Sequence, residues 1–186
     1  MVWSHYVQPW STLDAGDWSE ISAKLPSGLN PTDKQERTTL FNSIDINGRG
    51  KLALSDIDRG VRDFLDIDEF FNCKGAIIRA FHASKAKSEV ADDFMEWTEF
   101  RFLLTYLRYY FELNALFGEV DTLGNQRISN SEFGAMLDKI AHWGLSVPDA
   151  DTLFQLIDTT NRGQILFDDF FNWALETRLS TEDVKE

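Results

Sequence analysis

Phe41-Asn-Ser-Ile-Asp45, Phe117-Gly-Glu-Val-Asp121 and Phe154-Gln-Leu-Ile-Asp158 share one outline, an aromatic residue with an Asp four residues later. A turn-rich stretch follows each Asp. Seven residues past it stands Leu52, Ile128 or Ile165, and eleven past it stands Asp56, Glu132 or Asp169. An acid opening a tight turn, an apolar residue inside it and a second acid closing it are the outline of the EF-hand calcium loop. Positions 1, 3, 5, 7, 9 and 12 of that loop supply oxygens. The apolar position 8 pairs the loop with its neighbour. Loops starting at Asp45, near His82, at Asp121 and at Asp158 recur at intervals of 37, 39 and 37 residues. Such a period marks a repeated supersecondary unit. The expected fold is all-α, with four EF-hand helix-loop-helix units in two pairs joined by a long apolar central helix.

The 186 residues are 43% hydrophobic and include 15 Phe, enough to fill the core of one compact domain or two small lobes. A net charge of −13 excludes a nucleic-acid binder, which needs Lys and Arg against phosphate, and suits a soluble protein that takes cations or basic partners. The single cysteine, Cys73, leaves no internal disulfide and fits a reducing compartment, where it reads as a small apolar filler. No signal peptide is evident and no apolar run approaches the roughly 18 residues of a membrane span. Met1-Val2-Trp3 lacks the Gly that myristoylation requires, so no direct membrane anchor is expected. His5, His82 and His142 lie on separate segments without zinc spacing. No phosphate loop, nucleophile-base pair or catalytic carboxylate pair emerges, so no enzyme is expected.

The chain divides into an aromatic N-terminal arm (1–29), EF-hand pair one (30–108), pair two (109–178) and an acidic tail (179–186). Asn30, Pro31 and Asp33 predict a helix start, since Asn caps, Pro suits the first helical position and an acid suits the positive first turn. Ser146-Val-Pro148-Asp149 resembles a capping box with Asp in place of Glu or Gln, after a stop at Gly144. Between Trp97 and Val120 there is no turn signal. Phe100, Leu103, Leu104, Leu107, Phe111 and Leu116 recur at helical spacing, and Tyr106, Tyr109, Tyr110 and Leu113 make other faces apolar. A helix of that length spans roughly 35 Å, and one apolar nearly all round must be covered. In the arm, Trp3, Tyr6, Trp10 and Trp18 either fold back over an apolar cleft or dock a partner, because Trp and Tyr dominate interface hot spots.

As coordination chemistry the four loops differ. Hand one has Asp45 and Asn47 at positions 1 and 3 and Gly50 at 6, but Arg49 at 5, Ala53 at 9 and the short Asp56 at 12. Hand two fits Met95 and Glu99 at positions 8 and 12, with Ser88 and Val90 at 1 and 3, and runs overlong from His82. Hand three offers Asp121, Asn125, Ser129 and Glu132 at positions 1, 5, 9 and 12, with the backbone carbonyl of Arg127 at 7. It has Leu123 at position 3 and Gln126 at 6. Hand four has Asp158, Thr160 and Asp169 at positions 1, 3 and 12, with Arg162 at 5 and Leu166 at 9. Calcium is therefore expected at one site of low affinity, hand three, with magnesium the alternative ion at hand four. Arg49 and Arg162 have two readings. Each guanidinium replaces the cation by bridging the acids at positions 1 and 12 (Asp45 with Asp56, Asp158 with Asp169), or each points to solvent.

Asp93-Phe-Met-Glu-Trp-Thr-Glu-Phe-Arg-Phe102, Tyr110-Phe-Glu-Leu113, Leu137-Asp-Lys-Ile-Ala-His-Trp-Gly144 and Phe167-Asp-Asp-Phe-Phe-Asn-Trp-Ala174 resemble the trypanosome flagellar calcium-binding proteins, the calflagins. The resemblance runs from Asp93 to Ala174, with a looser fit from Phe41 to Asp56. It implies a flagellar protein of four hands that binds calcium mainly in the third and fourth. The family's ligand positions fall on Asp121, Asn125, Ser129 and Glu132, and on Asp158 and Thr160, while Arg162 and Asp169 depart from the pattern. The family's acylated N-terminal Gly and Cys have no counterpart here. The expected function is a non-enzymatic structural or interaction component of the flagellum, on its cytoskeletal side. Its expected partners are flagellar or axonemal proteins, tubulin among them. The alternative is a calcium sensor or buffer working through hand three.

Overall fold

The structure, a computed structural model, describes residues 24–65, 74–86, 93–142 and 149–179. Helix α1 (Pro31–Ile44) starts where its chemistry predicts. The Asn30 side chain accepts the Asp33 N–H at 2.9 Å, satisfying one of the unpaired amides of the first turn. The Asp33 carboxylate in turn accepts the Gly28 N–H at 2.6 Å and the Asn30 side-chain amide at 2.8 Å. The helix buries Arg37, Leu40, Phe41 and Ile44, a stripe at i, i+3, i+4 and i+7.

Six further helices follow among the described residues: α2 (Leu54–Leu65), α3 (Lys74–Ala86), α4 (Trp97–Val120), α5 (Asn130–His142), α6 (Ala150–Ile157) and α7 (Phe167–Leu179). Each of four short strands leads directly into a helix: β1 (Lys51–Ala53), β2 (Phe94–Glu96), β3 (Arg127–Ser129) and β4 (Gln164–Leu166). They form two antiparallel ladders. In β1–β2 Leu52 faces Met95, and in β3–β4 Ile128 faces Ile165. All four side chains are fully buried, which accounts for an apolar residue at position 8.

One expectation fails at α6. Asp149 is not the third residue of a helix begun near Ser146; it is the N-cap, and its side chain accepts the N–H groups of Asp151 and Thr152. Asp is itself among the strongest N-caps and here it meets two free amides, so the helix opens three residues later than a Ser146 cap requires. Ser146, Pro148 and Gly144 lie outside the described residues.

The described residues fall into two units, dividing between Phe111 and Glu112, with α4 contributing to both. In the first, Phe41 meets Phe100 and Trp97 edge-on, with ring centroids 5.3 and 5.6 Å apart. In the second, Phe117 meets Phe167 edge-on at 5.5 Å, and Phe154 meets Phe133 edge-on at 5.3 Å. Every pair follows one rule: the Phe four residues before a loop contacts position 10 or 13 of the other loop on the same ladder. Each contact stabilises by about 0.5–1.5 kcal/mol beyond the area it buries. In the first unit α2 passes so close to α1 that a Cβ on Gly60 would overlap the Ile44 side chain.

Arg37, only 1% exposed, donates to the carbonyls of Pro26 at 2.7 Å and Gly28 at 3.2 Å, and lies over the Trp97 ring. Arg101, also buried, donates to the Ser27 carbonyl at 3.1 Å. Two buried guanidiniums thus hold residues 26–28 of the arm against the first unit. Trp3, Tyr6, Trp10 and Trp18 lie outside the described residues, as do Cys73 and the tail from residue 180.

Candidate cation-binding loops

Three loops share a backbone built by their first Asp. Asp45 accepts the N–H groups of Arg49 at 3.0 Å and Gly50 at 2.6 Å. Asp121 accepts those of Asn125 at 3.1 Å and Gln126 at 2.6 Å. Asp158 accepts those of Arg162 at 3.2 Å and Gly163 at 2.7 Å. Positions 4 and 6 of each loop have positive φ: Gly48 and Gly50, Gly124 and Gln126, Asn161 and Gly163. Gln126, at φ 60°, holds a left-handed conformation that costs a side-chain-bearing residue about 1–2 kcal/mol and glycine nothing. Buried Asp158 is pulled two ways. Burial raises its pKa, but the N–H groups of Arg162 and Gly163 and the Thr160 hydroxyl outweigh it and hold the carboxyl below its ordinary value.

The closing acids differ from loop to loop. Asp56 accepts the Ala53 N–H at 3.0 Å and pairs with Arg49 at 3.3 Å and Arg59 at 3.4 Å. Glu99 accepts the Glu96 N–H at 2.9 Å and pairs with Lys85 at 3.0 Å. Glu132 meets no cation among the described residues. It accepts the Ser129 hydroxyl at 2.7 Å, the Ser129 N–H at 3.0 Å and the Thr122 hydroxyl at 2.8 Å. These donors, led by the Ser129 hydroxyl, lower its pKa to about 2. Asp169 accepts the Thr159 hydroxyl at 3.4 Å, and its Oδ2 is buried without a hydrogen-bond partner.

For the two readings of the arginines, bridging or pointing to solvent, the geometry differs from loop to loop. The Arg49 guanidinium reaches Asp56, whose Oδ2 accepts the Ala53 N–H as well, whereas Asp45 accepts the backbone amides of Arg49 and Gly50. The Arg162 side chain is exposed and pairs with neither Asp158 nor Asp169; only its backbone N–H serves Asp158. Position 5 contributes its backbone amide to the first Asp of its loop whether it is Arg49, Asn125 or Arg162. Leu123, 73% exposed, offers no oxygen at position 3. Ser88 and Val90 lie outside the described residues. Sequence reasoning missed Lys85, since a lysine in a last helical turn reads as a solvated partner of the helix dipole. It also missed Thr122 and Thr159, whose position 2 is no ligand position.

Among the described residues no group of three or more His, Cys, Asp or Glu could hold a metal ion. A cation in these loops must therefore draw on neutral oxygens as well. The third loop fits that demand. Asp121 and Glu132 meet no side-chain cation among the described residues, and Asn125, Ser129 and the Arg127 carbonyl add neutral oxygens, a donor set suited to a hard divalent ion. In the fourth loop Asp158 and Thr160 stand at positions 1 and 3, and Asp169 at position 12 keeps one buried oxygen without a hydrogen-bond partner, an acceptor a cation could use.

Helices entering and leaving acid-bounded turns, tied two by two through short ladders, define calcium-binding EF-hand domains. The FCaBP EF-hand domain family matches residues 21–107, and an EF-hand domain pair matches residues 124–175. The flagellar calcium-binding protein of Trypanosoma cruzi is 32% identical over 171 residues, 89% of this chain and 81% of that protein. Flagellar calcium-binding protein TB-24 of Trypanosoma brucei brucei is 34% identical over 168 residues, 87% of this chain and 77% of that one. The chain belongs to this family of trypanosome flagellar calcium-binding proteins, as its resemblance implied, and the family's compartment is the flagellum. A solved homolog of programmed cell death 6 protein from Leishmania major Friedlin is 16% identical, covering 89% of this chain and 82% of that one, at a TM-score of 0.39. Among the described residues no helix is long and apolar enough to cross a membrane.

Proposed function

We propose that this chain is a non-enzymatic component of the flagellum that holds protein partners, built of four EF-hands in two pairs about the central helix α4. Its calcium chemistry is reduced to one low-affinity site in the third hand, at Asp121, Asn125, Arg127, Ser129 and Glu132. The observation that carries the reading is the contrast at position 12. Asp56 of the first hand is paired with Arg49, while Glu132 of the third is met by hydroxyl and amide donors. A calcium ion entering the first hand would have to displace a guanidinium; one entering the third would displace only hydrogen bonds. Leu123 in place of an oxygen ligand and the strained Gln126 hold the affinity of that third site down. The fourth hand, with Asp158, Thr160 and Asp169, suits magnesium, which keeps more of its own water.

Partners are expected among flagellar and axonemal proteins, tubulin included, met through Trp3, Tyr6, Trp10 and Trp18. Calorimetric titration of calcium and magnesium into the metal-stripped protein tests the calcium claim. The expected result is weak calcium heat that Glu132→Gln abolishes, with magnesium heat that survives that change. Micromolar calcium binding with a change in tryptophan fluorescence would instead establish a calcium sensor working through the same third hand. The full-length acid of that hand, which meets no cation among the described residues, is what favours this second reading. Cosedimentation with axonemes, lost on replacing the four arm aromatics by Ala, tests the partner claim.

A further inference from the structure

We propose that the ε-ammonium of Lys85 stands in for a bound cation in the second loop, so that the β1–β2 ladder is set without calcium. The Leu52–Met95 register makes Met95 position 8 of its loop. Phe94 is then position 7 and Glu99 position 12. A calcium ion takes the backbone carbonyl of the one and both carboxylate oxygens of the other. Both groups meet the Lys85 nitrogen: the Phe94 carbonyl at 2.8 Å and the Glu99 carboxylate at 3.0 and 3.3 Å. An ammonium, with three donors and a compact charge, is suited to such a convergence.

The pair is largely withdrawn from water, the two side chains being 11% and 10% exposed. Glu99 also accepts the Glu96 N–H and so links the charge pair to the end of β2. Lys85 comes from the last turn of α3, so the contact ties the helix before the loop to the strand and helix after it, as a calcium ion ties entering and exiting elements. The neighbouring Asp56 is met by Arg49 and Arg59, so both closing acids of this unit are met by the chain's own cations. This inference does not depend on calcium binding in the third hand.

Amide hydrogen exchange in the full chain, read at 51–53 and 94–96, tests it with Lys85→Met, Glu99→Gln and the double variant. Removing one partner strands a buried charge, so either single change should speed exchange on the order of a hundredfold in chelator. The double variant should be no faster than the faster single, because one interaction is lost once. Wild-type exchange at these amides should be the same in chelator and in saturating calcium. Unchanged protection in both singles, single effects that multiply in the double, or a wild-type ladder that opens in chelator and closes with calcium would overturn the proposal. Glu99→Gln, which keeps the shape of the acid, provides the reading should Lys85→Met fail to fold.

Discussion

The two units are built on the same rules and differ in what faces their closing acids. In the unit up to Phe111, Asp56 meets Arg49 and Arg59, and Glu99 meets Lys85. In the unit from Glu112 on, Glu132 meets the hydroxyls of Ser129 and Thr122, and Asp169 meets Thr159 with one oxygen left unpaired. Both keep an antiparallel ladder with a buried apolar pair at its centre and Phe residues crossing from one hand to the other. In both units backbone amides fold onto a position-1 Asp. The proposed difference in cation binding rests on what meets each position-12 acid.

The largest expected effect that could break this comparison comes from the crossing Phe residues. Phe41→Ala in the first unit and Phe154→Ala in the second should each cost about 3–5 kcal/mol. Calcium should recover part of the loss only for Phe154→Ala, because a ligand stabilises the unit it binds. Thermal unfolding of both variants with and without calcium checks this, and equal recovery would erase the distinction. Gln126→Gly should relieve about 1 kcal/mol of left-handed strain in the third loop and tighten calcium binding several-fold by calorimetry. The equivalent residues of the first and fourth loops are already Gly50 and Gly163.

A smaller effect concerns helix starts. The cap of α6 is the carboxylate of Asp149, whose pKa is lowered first by the Thr152 hydroxyl and then by the Thr152 N–H, whereas α1 is capped by the amide of Asn30. A lowered folded pKa means the Asp149 contribution is complete above the ordinary value of 3.8 and is lost as pH falls through the folded value. The stability gap between wild type and Asp149→Asn should therefore be full at neutral pH and shrink below about pH 4, as read by denaturant unfolding at a series of pH values. The smallest effect separates the two position-5 arginines. Arg49→Thr should cost about 0.2–1 kcal/mol, the worth of an exposed ion pair, and Arg162→Thr should cost nothing measurable by the same unfolding assay.

Much of the frame was legible from local rules. The Phe-to-Asp spacing located the loops, the apolar position 8 anticipated the Leu52–Met95 and Ile128–Ile165 pairs, and the unbroken apolar run marked a helix from Trp97 to Val120. The start of α1 followed from Asn30 and Pro31. What could not be read was where long side chains reach. Arg49 and Arg162 occupy the same loop position, yet one contacts an acid and the other does not. Lys85 meets Glu99 across a stretch whose length obscures the loop numbering. Asp149 was misplaced by one helical role because Ser and Asp three residues apart can each serve as a cap.

The crossing aromatics also constrain how the chain is made. Phe41 packs on Trp97 and Phe100, which the ribosome adds only after nearly 60 further residues. At about 5–20 residues per second, Phe41 waits several seconds, with only α2 available to pack on α1, before the rings it fits have left the exit tunnel. The first unit cannot close hand by hand during synthesis; it closes when the start of α4 emerges. A nascent chain halted before Trp97 should thus remain a target for chaperones, however complete its first loop.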